Sequence, residues 1–239
     1  VRTQKLGPLD ARIVGGSDRD GGGNGPVVVL LHGYGAPGDD LVPFHRVLDV
    51  PREVRFVFPH APLSLGGGLF GMMDARAWWP IDMAALEAAL AEGRSRDLRN
   101  DVPAGLPEAR AALTACLDAV QAELAPSALI LGGFSQGAML AMDFALHDPR
   151  PLAALTLLSG TFLSESAWRP RMAARAGQRA LLSHGSHDPL LPFAATAELK
   201  DALVEAKWNV DFVAFRGQHE IPPVVQAKLG ETIRAACPP

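Results

Sequence analysis

Cysteine is scarce. Two cysteines in 239 residues cannot build a disulfide framework. Cys116 falls on the apolar face of a helical pattern, which marks it as core rather than nucleophile. Charge of one sign is not in excess either. A net charge of −4 at pH 7 excludes the basic footprint that nucleic acid demands. No apolar run reaches the length that spans a bilayer; the run at 27–31 is strand-sized. No basic amphipathic helix suits a membrane surface, so no integral membrane association is expected. No secretory pattern opens the sequence, and a cytoplasmic setting is the expectation. The histidines and acids lack HExxH or clustered Cys/His spacing, and no G-x-x-x-x-G-K loop is present. Neither a metal nor a cofactor is expected. Gly66-Gly67-Gly68 follows no nucleotide-binding pattern, and no internal repeat appears.

What is present is a large apolar fraction, 48%, distributed in alternating strand-like and helix-like runs. Strands are expected at 26–32, 54–58, 129–132, 152–159, 180–184 and 210–215. Helical spacing appears at 40–48, 107–124, 136–147, 193–207 and 221–236. The glycine-rich stretch 15–25 reads as a flexible turn between an early strand and the first core strand. Alternating β and α with strongly apolar strands implies a mostly parallel central sheet with helices on both faces. One α/β domain spanning 1–239 is expected.

The segment Leu129-Ile130-Leu131-Gly132-Gly133-Phe134-Ser135-Gln136-Gly137 joins a buried strand to a helix rich in small residues. That is the layout of a nucleophile elbow, in which a tight turn lifts a serine hydroxyl above the sheet edge. GxSxG alone is weak evidence, since Ser135 would also serve as an ordinary N-cap. A serine needs a base, and the base needs a group that orients it. Both should follow on loops after later strands. Asp188 lies just past the strand at 180–184, and His219 just past the strand at 210–215. Among the rivals, His147 ends a helix, His45 sits on a helix surface, and His184 and His187 read as turn or pocket residues. Asp143 lies within a helix, pointing away. For the oxyanion, the expected donors are the backbone N–H groups of Gln136 and Tyr34. The latter belongs to the loop His32-Gly33-Tyr34-Gly35, in which His32 reads as structural.

Together the segments VVVLLHGYG (27–35), VFPHAP (57–62), ARAWWPID (75–82), LGGFSQGAML (131–140), SHGSHDPLLPF (183–193) and GQHEIPP (217–223) resemble the phospholipase/carboxylesterase family. This is the acyl-protein thioesterase-like branch of the α/β hydrolases. The resemblance implies an α/β-hydrolase fold, a Ser135–Asp188–His219 triad, and cofactor-free hydrolysis of carboxylic esters, thioesters or lysophospholipids. Small-molecule esters or thioesters are the expected partners. Trp78-Trp79-Pro80-Ile81-Asp82 departs from the W-Y-D-like segment of the family, which bears on substrate identity rather than chemistry. The segment 61–105 is expected to form a lid or pocket rim. There Leu65, Leu69, Phe70, Met72 and Trp78 would line an apolar groove, while Trp79 packs the segment onto the domain. A different class stays open: a non-catalytic hydrolase-fold binder of an acyl ligand or a partner protein. A dienelactone-type hydrolase would want cysteine at position 135.

Overall fold

The apolar strands run without polar interruption because both faces of their sheet are covered. A computed structural model describes residues 1–66 and 74–237. Its main sheet contains β1 (Arg2–Leu6), β2 (Leu9–Gly15), β3 (Val27–Leu31), β4 (Arg55–Pro59), β7 (Leu129–Phe134), β8 (Ala154–Leu158), β9 (Arg179–Gly185) and β10 (Asn209–Phe215). The order across the sheet is β1-β2-β4-β3-β7-β8-β9-β10. β1 and β2 form an antiparallel hairpin, and β2 joins β4 antiparallel. Every pairing from β4 through β10 is parallel. A small antiparallel pair, β5 (Leu63–Ser64) and β6 (Arg76–Ala77), stands apart.

Side-chain alternation along β3 divides the core. Val27, Val29 and Leu31 face one cluster, and Val28 and Leu30 face the other. The first cluster is closed by α3 (Leu106–Leu124), α4 (Gln136–His147), α5 (Glu165–Met172) and α6 (Phe193–Glu205). The second is closed by α7 (Pro223–Ala236), through Val225, Leu229 and Ile233. On α3 the buried positions Leu106, Ala109, Leu113, Cys116, Leu117, Val120 and Leu124 repeat at helical spacing, so one stripe lies on the core. Cys116 is buried, and burial pushes its thiol up to about 12, which keeps it an unreactive thiol.

Three local features differ from the sequence reading. The helix expected at 40–48 shrinks to α1 (Phe44–Val47), because Pro43 disfavours helical geometry in the residue before it. The stretch 15–25 is not a loose turn. Asp18 Oδ1 accepts the N–H groups of Asp20 and Gly22 at 2.8 Å. The fully buried Arg55 donates to the carbonyls of Gly23 and Leu124 at 2.7 Å and of Gly25 at 2.5 Å. Two helices also appear where no periodicity announced them. α2 (Met83–Ala91) starts at Asp82, whose carboxylate accepts the N–H of Ala85. α5 carries an internal Pro170, the residue that most strongly argues against a helix when read in sequence.

Candidate active site

The carboxyl ends of the parallel strands gather the chemistry. Ser135 follows β7 and precedes α4 with φ 55° and ψ −118°. This conformation is costly for a residue with a side chain and persists only where the surroundings impose it. Here the surroundings are two glycines. A Cβ on Gly133 would lie 2.5 Å from the Gly137 carbonyl carbon, and a Cβ on Gly137 would lie 2.2 Å from the Leu31 carbonyl oxygen. Both contacts are impossible for any larger residue, so the strand end, the helix start and β3 can meet only with glycine at these positions. Gln136 is the first residue of α4, where N–H groups have no intrahelical acceptor.

Asp188 and His219 arrive from neighbouring strands. Asp188 lies three residues past β9, and His219 four past β10. Their loops are tied together: the N–H of Ser186 donates to the Phe215 carbonyl at 2.8 Å, and that of His187 to the Gly217 carbonyl at 2.9 Å. His219 Nδ1 meets Asp188 Oδ2 at 2.7 Å. The other carboxylate oxygen, Oδ1, accepts the N–H groups of Leu190 and Leu191 at 2.8 and 3.0 Å. Burial alone would raise the Asp188 carboxyl. The hydrogen bonds from His184 and His219 outweigh it and hold the group well below the usual carboxylate range. The His219 ring packs 4.8 Å from Phe134, the residue before Ser135.

Ser135, Gln136, His219, Gly33 and Tyr34 all line one cavity of about 180 Å3. Ser135 Oγ makes no hydrogen bond to His219 among the described residues. Tyr34 follows β3 on the loop that His32 braces. His32 is buried. It lies 2.8 Å through Nδ1 from the Gly33 carbonyl, and its Nε2 accepts the Ala61 N–H at 3.0 Å. This fixes one neutral tautomer. Burial pushes the ring down to about 4. The unfolded chain therefore takes up a proton that the folded one refuses, and stability is lost as pH falls. This group alone should lower the unfolding free energy by about 3 kcal/mol between pH 6.5 and 4. His32→Asn keeps a donor toward Gly33 and should remove that part of the pH dependence. Urea titrations at both ends check it, and an unchanged pH dependence in the variant rejects it.

Of the residues expected along an acyl groove, Leu69, Phe70 and Met72 lie outside the described residues. Leu65 is exposed. Trp78 is a correction: it is buried in the core beside Trp79, with its Nε1 donating to the His32 carbonyl at 2.9 Å. The cavity wall is built instead from Ile81, Leu86, Leu98, Met139, Leu190 and Leu191, with Arg96 among them. A further role escaped the sequence. The buried Gln136 side chain accepts the Trp78 N–H and donates to the Trp79 carbonyl, both at 2.9 Å. It thereby fastens the 78–82 segment to the elbow, satisfying two backbone groups that burial would otherwise strand. No signal along the chain marked it, since Gln136 lies 58 and 57 positions from these partners. Asp143 stands away from this centre, paired with Arg110 at 2.6 Å and with the Trp168 N–H at 2.9 Å.

A parallel sheet covered on both faces, with a strained serine between β7 and α4, defines an α/β hydrolase. The chain belongs to the phospholipase/carboxylesterase family, whose model matches residues 19–236. It is similar to acyl-protein thioesterase 1 of Neurospora crassa, 26% identical over 200 residues that cover 80% of this chain and 78% of that protein. The acyl-protein thioesterase 1 of Schizosaccharomyces pombe is 27% identical over 168 residues, 69% of each chain. Among solved structures, esterase PE8 superposes with a TM-score of 0.75 at 27% identity, covering 95% of this chain and 98% of that one. The Zea mays acyl-protein thioesterase 2, at 22% identity and a TM-score of 0.68 over 95% and 98% of the chains, shares the fold. The protein is an enzyme, a hydrolase of the esterase/thioesterase type. Among the described residues no helix is long and apolar enough to cross a membrane.

Proposed function

We propose that the protein is a serine carboxylesterase working through a Ser135–His219–Asp188 triad and an acyl-enzyme. One observation carries this reading above the rest: the 2.7 Å contact of His219 Nδ1 with a buried carboxylate, on the rim of the cavity that Ser135 also lines. With Nδ1 donating to Asp188, His219 Nε2 is left as the acceptor. Ser135 Oγ attacks the carbonyl carbon while His219 takes its proton. Asp188 holds the ring tautomer and stabilises the imidazolium. The Tyr34 and Gln136 amides receive the oxyanion. His219 then gives its proton to the leaving alcohol or thiol as the carbon–oxygen or carbon–sulfur bond breaks. Water attacks the acyl-enzyme by the same route.

The residues 1–239 act as one α/β unit, with 61–105 as the rim of the acyl pocket. Support comes from Ile81, Leu86, Leu98 and Arg96 in the cavity wall. The cytoplasm is the proposed setting. The cavity, about 180 Å3, is smaller than the pockets of roughly 300–1,000 Å3 that hold drug-sized ligands. Short acyl groups on small alcohols or thiols are therefore the substrate class. A p-nitrophenyl ester series from acetate to palmitate tests this, with the matching thioesters beside it. The highest kcat/KM should fall at the short end. A maximum at palmitate overturns the substrate class, and no turnover of any member leaves the non-catalytic binder as the reading.

A further inference from the structure

Asp188 has a second imidazole partner that the triad does not use. His184, the sixth residue of β9, is completely buried. Its Nε2 lies 3.2 Å from Asp188 Oδ2, the same oxygen that His219 engages, and 3.1 Å from the Leu191 carbonyl. Both neighbours only accept, so Nε2 must carry a proton. At the other side, Nδ1 lies 3.0 Å from Thr196 Oγ1. The Thr196 hydroxyl donates its single proton to the Gly160 carbonyl at 2.7 Å. A carbonyl cannot donate in return, so Nδ1 must be the donor toward Thr196. The Phe193 ring lies 6.1 Å away, nearly perpendicular. Every hydrogen-bond partner of this ring is thus an acceptor.

We infer that His184 is a positioning residue of the site, a buried imidazolium that clamps the Asp188 carboxylate and compensates its charge. The inference rests on the triad reading given above. Asp188 then accepts three N–H groups, two from the backbone and one from His219, and His184 Nε2 adds an ion-pair contact at 3.2 Å. Held this way, the carboxylate cannot rotate away from His219. The consequence for catalysis is electrostatic. A carboxylate favours the charged form of an adjacent imidazole, and a neighbouring cation opposes it. The facing charges are Asp188 at contact and His219 beyond it. With His184 charged, a second positive charge on His219 is opposed, which favours the neutral ring that can act as base.

Two variants and a spectroscopic measurement test this. His184→Leu removes both the clamp and the charge, and His184→Gln keeps an uncharged donor. Both should move the acid limb of kcat/KM against pH upward by about one pH unit. The Leu variant should also lose about 10- to 100-fold in kcat, the scale on which orienting partners act at other sites, and the Gln variant should recover part of it. A merely structural role would lower stability and leave the acid limb in place, and an unmoved limb overturns the inference. Long-range proton–nitrogen NMR of histidine-labelled protein reads the ring directly and covers the case of a variant that does not fold. Two protonated nitrogens on His184 are expected in the folded protein, from its acceptor partners; a single-proton tautomer overturns the inference. The spectra are taken on wild type and on Ser135→Ala. The His184 result therefore stands whether or not Ser135 proves to be the nucleophile.

Discussion

Ser135→Ala is expected to lower kcat for short p-nitrophenyl esters by about 10^6-fold, the scale found when a triad serine is removed elsewhere. That corresponds to about 8 kcal/mol of barrier. The effect is large because, among the described residues, neither a cysteine nor a neighbouring hydroxyl offers a substitute for the proposed nucleophile. Cys116 is buried in the core with its thiol pushed up, and Ser186 sits on an exposed turn against His187. Folding should be little changed. The positive φ of 55° at position 135 is imposed by the close approach of Gly133 and Gly137 to β3, and alanine fits the same space. The backbone amides of Tyr34 and Gln136 also remain, so substrate binding should persist. A fluorophosphonate should label the wild type at Ser135 and leave the variant unmarked. Retention of most of the activity, or labelling of the variant to the same extent, would sink the assignment.

The second large effect is expected at Asp188. Asp188→Asn should cost about 10^4-fold in kcat, as tautomer disruption does in the serine-protease triad. The asparagine oxygen can still accept the Leu190 and Leu191 N–H groups that now bond Oδ1 at 2.8 and 3.0 Å. Its amide nitrogen then replaces Oδ2 and offers protons toward both His219 and His184. His219 Nδ1 must become an acceptor, which moves the ring proton to Nε2 and removes the lone pair that should take the serine proton. Stability carries a separate signature. The folded carboxyl of Asp188 lies below its usual range, so its contribution is present at neutral pH and disappears as pH falls through that lowered value. The variant should lose this acid-side decline while keeping a cooperative transition. Steady-state kinetics with thermal denaturation at several pH values separates the two effects, and a kcat near wild type would reject the role.

Some of this site could be read without coordinates, and the reason is local. Leu129 to Leu140 holds strand, turn and helix in one uninterrupted stretch, although the glycine demand at 133 and 137 is set in large part by the Leu31 carbonyl of β3, far away in sequence. Asp188 and His219 were legible through their order and their positions just past apolar runs. The alternating core of β3 likewise follows from continuous burial on two faces. Other features depend on partners far away in sequence. Trp78 looked like a groove residue because nothing nearby marks it as core. Its burial is decided by the His32 carbonyl, 46 positions earlier. Arg55 is a charge within an expected strand, and it is buried to hold three carbonyls of two distant segments.

His184 shows the division most clearly. Its sequence context, beside a glycine and four residues before an aspartate, reads as a turn or a pocket wall. Chain order and apolar patterning thus singled out the proposed nucleophile, its expected partners and a mostly parallel sheet covered on both faces, since these depend on periodicity and on order along the chain. Which polar atoms meet across strands was decided only in three dimensions: two imidazoles on one carboxylate oxygen, and a glutamine gripping a tryptophan pair. A hydrogen bond is directional and short-ranged. Its partner is fixed by how the loops converge, and no pattern along the chain encodes that convergence.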